Sequence, residues 1–435
     1  MGGPSEDNLR RARVTLRSLV SDGASALPSL NAVADAIRLE LERRGRVAII
    51  YVRLDRYGHL ESLFGWGIVG DILDAVAESL SGMVGSTLRR LDVVADFTLS
   101  DNAFVVLLSP PRSGEAISNE ELGAVTRRVY ERLQSLLLND LAPGVFDRVH
   151  PSVGAASVAA DAALTFEQNL QRGVALAMEA AENQSRVYDE ELEKALADCI
   201  EHDELEPLFE PVVDPTAEAV IGYRSSVRGP FYSPLRLPDV LLDVARRSVL
   251  LDSYGIAARA TTVRAAQGLR PDDLLFLSCA AVELPNAGVV ALSEFYSLNK
   301  ALVPQHVVFE LDAAELVVNT VSLMRTLGNL RELGFQLGLS GLGAHFASLE
   351  LVREAAPDYL MLDPVLVGNV TDGITPVETV QLLVRFAARH NAQLIAPGVK
   401  EPAQAQALRR AGVELMSGEL FGRADTRLPK ASFEE

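Results

Sequence analysis

"EPLFEPVVDPTAEAVIGYRSSVRG", residues 206–229, decides the fold. Two apolar runs, 206–213 and 219–227, are joined by the turn DPTAEA, too short to hold a helix. Two strands so joined must lie antiparallel. The second ends in a cationic, hydroxyl-bearing cluster, Arg224, Ser225, Ser226 and Arg228, and breaks at Gly229 and Pro230. Short apolar runs then recur at 274–280, 307–312, 335–340, 358–363, 392–397 and 413–418, with helical periodicity between them. Roughly eight strands alternating with helices over about 240 residues predict a TIM-type (β/α) barrel, its first strand pair an irregularity. Catalytic groups of such barrels sit at the C-terminal strand ends, so the placing of Arg224 there is the first functional question.

Upstream the pattern differs. RVAIIYVRL (46–54) is a continuous apolar run suited to a buried strand. In 71–84, Leu73, Val76, Ala77, Leu80 and Val84 share one helical face. Residues 92–97 and 103–108 read as a hairpin around the polar turn TLSDN. Leu122–Leu138 is amphipathic, HPSVGAASVA (150–159) returns to strand, and 166–195 is helical. The order predicts an α+β sandwich. The expected division is an N-terminal helical segment (1–45), a first domain (46–190) and a barrel (191–435). No Pro/Gly/Ser linker interrupts Tyr188–Lys194, which predicts one continuous, stiff connecting helix.

Composition narrows the function. The 435 residues are 48% hydrophobic and 23% charged, a globular balance for two or three domains. A net charge of −19 repels phosphate backbones and argues against general nucleic-acid binding. No apolar run reaches the ~18–20 residues of a membrane span. MGGPSEDNLRR lacks a signal-peptide core, so a cytoplasmic protein without membrane insertion is expected. Cys199 and Cys279 show no CxxC spacing, and the six histidines form neither HxxxH nor HExxH. No metal site is expected from them.

The order of parts resembles the tandem proteins of cyclic-di-GMP signalling, a diguanylate cyclase (GGDEF) domain followed by a phosphodiesterase (EAL) domain. In the first domain DGASALPSL (22–30), VRLDRY (52–57), FGWGIVGDILDAVAESL (64–80), TLSDNAFVVLL (98–108), PSVGAAS (151–157) and VALAMEAAE (174–182) carry the likeness. In the second, LFEPVVD stands for Y-Q-P-I-V-D and GYRSSVRG for G-Y-E-A-L-L-R-G. FELDAAE stands for L-E-I-T-E, LSGLGAHFASL for L-D-D-F-G-T-G-Y-S-S-L, and PDYLMLD for P-D-Y-I-K-I-D. APGVKEP stands for A-E-G-V-E-T.

The resemblance implies a cyclic-di-GMP chemistry whose charged groups are missing. The cyclase's metal Asp falls on Arg53, its phosphate-binding Lys on Glu182, and its signature turn on Thr98–Phe104, with Asn102 and Ala103 where acids belong. The phosphodiesterase's metal-binding Glu falls on Arg224, its Asn on Ser278, and its paired Asp on Ser340 and Gly341. Its Lys falls on Met361, and the acids of E-G-V-E on Pro397 and Lys400. Glu310 and Asp363 alone keep the family's identity at these strand ends, with Asp312 a new neighbour. A fixed cation at 224 opposes metal binding and is expected to pair with Glu310. Ligand-binding candidates remain. Arg228 matches a phosphate-contacting Arg, and Arg89 and Asp92, in RRLD, are placed like the R-x-x-D inhibitory site. The reading is a catalytically inactive pseudoenzyme, without cofactor, that serves unidentified signalling proteins as a regulatory module. A cyclic-di-GMP receptor acting through Arg89 and Asp92 is the second reading, and a residual phosphodiesterase the third.

Overall fold

The computed structural model describes residues 27–55, 58–97, 102–109, 117–139, 148–284, 302–317, 320–343 and 349–433. The helical expectation for 7–26, the turn residues 98–101, the loop 110–116 and the segment 344–348 lie outside them. The chain divides into two compact units, residues 1–191 and 192–435.

The first unit is a four-stranded sheet with helices on both faces. Its strands are β1 (Arg46–Asp55), β2 (Val93–Asp96), β3 (Ala103–Leu108) and β4 (His150–Ala159), in the order β2-β3-β1-β4, every pair antiparallel. The continuous apolar run of β1 is explained by this position, since a central strand buries both faces. Ala48, Ile50, Val52 and Leu54 enter one core with Val69, Ile72, Val76 and Leu80 of helix Gly58–Gly82 and Val129 and Leu133 of helix Asn119–Asn139. Ile49 and Tyr51 enter the other with Val33, Ile37 and Leu41 of helix Leu30–Arg44 and Val174, Ala177 and Ala181 of helix Phe166–Glu201. Ser29 caps the first of these helices through its side chain, and Gly45 ends it at φ 66°. Helix Phe166–Glu201 is unbroken, and the division between the units falls within it.

The second unit is a closed barrel of eight strands. They are β5 (Glu206–Asp214), β6 (Ala219–Arg228), β7 (Leu274–Ser278), β8 (Val307–Asp312), β9 (Gln336–Leu342), β10 (Tyr359–Leu362), β11 (Gln393–Ala396) and β12 (Leu415–Ser417). β5 runs antiparallel to both β6 and β12, and the remaining pairs are parallel. The irregular pair expected from the turn DPTAEA is therefore present. Alternation sorts the side chains. Val212, Leu274, Phe276, Val308, Tyr359, Met361, Ile395 and Leu415 form the interior cluster. Leu275, Leu277, Phe309, Leu311, Leu337 and Leu339 pack outward in a larger core that includes helix residues such as Leu323, Val380 and Leu408. No helix among the described residues is long and apolar enough to cross a membrane.

Candidate functional site

The C-terminal ends of the barrel strands bring the sequence-predicted residues together. On β6, Tyr223 joins the outer core and the alternation turns Arg224 to the barrel mouth. Ser278 stands opposite Glu310 in the β7–β8 register, and Asp312 opposite Ser340 in β8–β9.

Arg224 grips Glu310 with two hydrogen bonds. Its Nε donates to Oε2 at 3.0 Å and its Nη2 to Oε1 at 2.5 Å. Glu310 is buried, and both its oxygens are engaged by one planar fork, the strongest form of this ion pair. A second carboxylate, Glu210 on β5, lies 4.0 Å from Arg224 Nη1 and accepts from Ser417 Oγ at 2.9 Å. Burial works against the Arg224 charge, but Glu310 and then Glu210 outweigh it, and the guanidinium is held protonated above its ordinary range.

Around this pair several of the other positions are engaged by packing or by local backbone contacts. Met361 is fully buried in the interior cluster beside Phe276 and Tyr359. Burial, with Asp358 adding to it, pushes the Tyr359 phenol up to about 12. Ser340 Oγ donates to the Leu311 carbonyl at 3.2 Å. Gly341 takes φ 80°, a conformation that favours glycine. Asp312 Oδ1 accepts from Ala314 N–H at 2.9 Å. Asp363 is buried and caps helix Pro364–Gly368, accepting from Val365 N–H at 2.8 Å. Lys400 is exposed, and its ammonium has no ion-pair partner among the described residues. Arg228 pairs across the strands with Glu206 at 2.8 Å. No group of three or more His, Cys, Asp or Glu among the described residues could hold a metal ion.

In the first unit, Arg53 Nε donates to Asp55 Oδ1 at 2.6 Å, and its Nη1 lies 3.8 Å from Glu182. Ser152 Oγ donates to the other Asp55 oxygen. Ala103 is buried opposite Arg53 in the β1–β3 register, and Asn102 Nδ2 donates to the Leu54 carbonyl at 2.7 Å. Arg89 and Asp92 are brought together, but by main-chain contacts. Asp92 is buried. Its Oδ2 accepts from Arg89 N–H at 2.6 Å, and its Oδ1 from both the N–H and the Oγ of Ser109 at 2.6 Å. The exposed Arg89 guanidinium donates to the Ser109 carbonyl at 2.8 Å. Together they tie the turn before β2 to the end of β3.

Among the charged pairs that escaped the sequence reading, one has both side chains buried. Arg259 and Glu283 are both buried behind β7, 3.3 Å apart, and line a cavity of about 140 Å³ with Tyr254 and Gly255. Glu283 Oε2 also accepts from Ala280 N–H at 2.8 Å, while Oε1 is buried without a hydrogen-bond partner. Burial raises both the Cys279 thiol and the Tyr254 phenol beside them. An Arg and a Glu so distant in sequence carry no local pattern that announces their pairing.

Residues 189–424 match the EAL domain family. Over 220 residues the chain is 24% identical to the blue light- and temperature-regulated antirepressor BluF of Escherichia coli, covering 50% of this chain and 53% of BluF. Over 430 residues it is 21% identical to the bifunctional diguanylate cyclase/cyclic di-GMP phosphodiesterase MucR of Pseudomonas aeruginosa, covering 95% of this chain and 61% of MucR. The chain thus spans only about half to three-fifths of the length of these relatives. Among solved structures, the EAL enzyme Bd1971 in its cAMP- and cyclic-di-GMP-bound form superposes with a TM-score of 0.52 at 16% identity, over 67% of this chain and 83% of Bd1971. At that identity the likeness speaks for the fold.

Proposed function

The chain belongs to the EAL domain family, and from that premise we propose that its barrel is a pseudoenzyme, a regulatory module of cyclic-di-GMP signalling that acts by binding a protein partner. One observation carries this reading: the bidentate Arg224–Glu310 pair stands where the family resemblance puts two metal-binding carboxylates. A phosphodiesterase of this kind needs a carboxylate cluster to hold the cations that polarise the phosphate and supply hydroxide. Here one acid is replaced by a guanidinium, and the other has both oxygens engaged by it. The remaining donor set, with Ser278, Ser340, Gly341 and Met361 at the other positions, does not fit a pair of divalent ions. The first unit supports a parallel reading as a degenerate GGDEF-like domain, in which Arg53 with Asp55 and Glu182 fills a vacated metal and phosphate site. The name of the relative BluF, an antirepressor, favours regulation through another macromolecule.

Binding of cyclic-di-GMP without turnover is the second reading. The exposed guanidinium of Arg89 favours it, and the full internal engagement of Asp92 weighs against it. The test is an assay of the purified chain with cyclic-di-GMP and magnesium or manganese, run beside calorimetric titration of the wild type and Arg89→Ala. No hydrolysis and no saturable heat are expected. Turnover abolished by Glu310→Gln would overturn the pseudoenzyme reading. Saturable binding lost in Arg89→Ala would replace the protein-partner reading with a receptor.

A further inference from the structure

The sheet of the first unit ends in β4, and β4 pairs with β1 alone. Main-chain groups alternate along an antiparallel strand between the two sides. The even-numbered residues of β4 face the β1 side, and Ala160 N–H, just past the strand, continues that set by donating to the Gly45 carbonyl at 2.7 Å. The odd-numbered set faces outward, and Val153 N–H there donates to the side-chain Oε1 of Gln184 at 2.7 Å. Ala155 and Ser157 therefore turn their N–H and C=O groups to the open edge, where no described strand meets them. Beside this edge lies a groove of about 500 Å³, lined by Gly123, Arg127 and Tyr130 of helix Asn119–Asn139, by Ala155, and by Gln184 of helix Phe166–Glu201. Arg127 is exposed and makes no ion pair among the described residues.

We propose that this groove takes an extended peptide segment of a partner protein, added as a fifth strand on β4, with an acidic side chain meeting Arg127. Alternating main-chain donors and acceptors are matched by another polypeptide backbone and by no other common ligand. Gln184 already acts as a stand-in, its amide oxygen placed where a neighbouring strand would put a carbonyl. The small residues Gly123 and Ala155 line the groove where a strand at the usual ~4.8 Å spacing would lie, whereas Gly154 is small because helix Phe166–Glu201 packs directly on it. The charge of the partner follows from complementarity. In a chain of net charge −19, an exposed arginine at the groove that makes no ion pair among the described residues selects a carboxylate. A single cation offers no cradle for a phosphate chain. This site lies wholly within residues of the first unit, and its success or failure does not depend on the pseudoenzyme reading.

The test uses the full chain and two capped decapeptides of alternating valine and serine, one with a central aspartate and one with a central lysine. Calorimetry and amide hydrogen exchange are the readouts. The aspartate peptide is expected to bind and to slow exchange at Ala155 and Ser157 while leaving Gly154 and Ala156, already bonded to β1, unchanged. Arg127→Glu should invert the preference between the peptides, by about tenfold in each direction. Ala155→Pro removes only an outward N–H, which an edge strand tolerates, and should abolish the protection without loss of the thermal transition. The proposal is overturned if neither peptide binds the wild type, if the two amides stay unprotected, or if Arg127→Glu leaves the preference as it was.

Discussion

Arg224 shows how one residue at a strand end sets the energetics of the barrel mouth. Alone, a guanidinium at the mouth of the barrel would be a poorly solvated charge; with Glu310 it is half of a two-point ion pair. Such pairs contribute little over a well-packed apolar replacement, yet removing one partner strands the other. Arg224→Met is therefore expected to destabilise the barrel by about 2–4 kcal/mol, and Glu310→Met by a similar amount. The double variant should recover most of that loss. Urea unfolding of all four proteins checks this, and a double variant as unstable as the sum of the singles would refute it. Sequence reading could anticipate this pair because the family resemblance set both residues at strand ends of the barrel, on β6 and β8 with β7 between them. It could not see that Asp92 is consumed by Arg89 N–H and Ser109, because main-chain donors carry no residue identity. The Arg259–Glu283 pair was illegible for another reason: only the packing of helix Leu251–Ala265 against the turn after β7 brings the two residues together.

Elements are joined by a few polar ties whose behaviour depends on burial. Glu315, just past β8, accepts from Ala281 N–H at 2.5 Å after β7 and pairs with Arg246 at 2.6 Å, so it links three elements. Burial raises its pKa above the ordinary 4.5, against the opposing pull of the Ala281 N–H and Arg246. A carboxyl whose folded value is raised binds its proton more tightly in the native state. Its contribution to stability is therefore fullest below pH 4.5 and falls as pH rises through the folded value. The stability of the wild type relative to Glu315→Gln is thus expected to decline with rising pH from 4.5 upward, read by urea unfolding at a series of pH values. A relative stability that grows over that range would contradict it. Helix and strand positions were largely legible because their periods differ, 3.6 against 2 residues. The helix placed from Asp71 in fact begins at Gly58, because Gly65, Gly67 and Gly70 weaken the helical signal before Asp71 without interrupting the helix.

At the scale of the molecule, each unit holds its own core. The outer barrel cluster runs from Phe209 to Phe421, and all its members among the described residues belong to the second unit. Leu192, Leu196 and Cys199 of the preceding helix are buried as well. A fragment of residues 192–435 is therefore expected to fold alone, with a cooperative thermal transition and barrel-like circular dichroism. A fragment that melts without a transition would show that the barrel needs residues before 192. Domains of this size commonly bury enough apolar surface to stand alone.

The alternation of apolar runs and helical periods by itself determined the eight-stranded barrel, its antiparallel first pair and the sheet before it, because burial on one face or two leaves a local periodic trace. It was the family resemblance, not periodicity, that implied charges and hydroxyls at positions where it expects carboxylates. Only the tertiary structure decided what those side chains do. It made Arg224 a two-point clamp on Glu310, made Asp92 an internal tie, and left the outer edge of β4 without a neighbouring strand among the described residues. Those outcomes depend on distances between residues far apart in the chain, and on which backbone groups remain unpaired once the strands have chosen their neighbours.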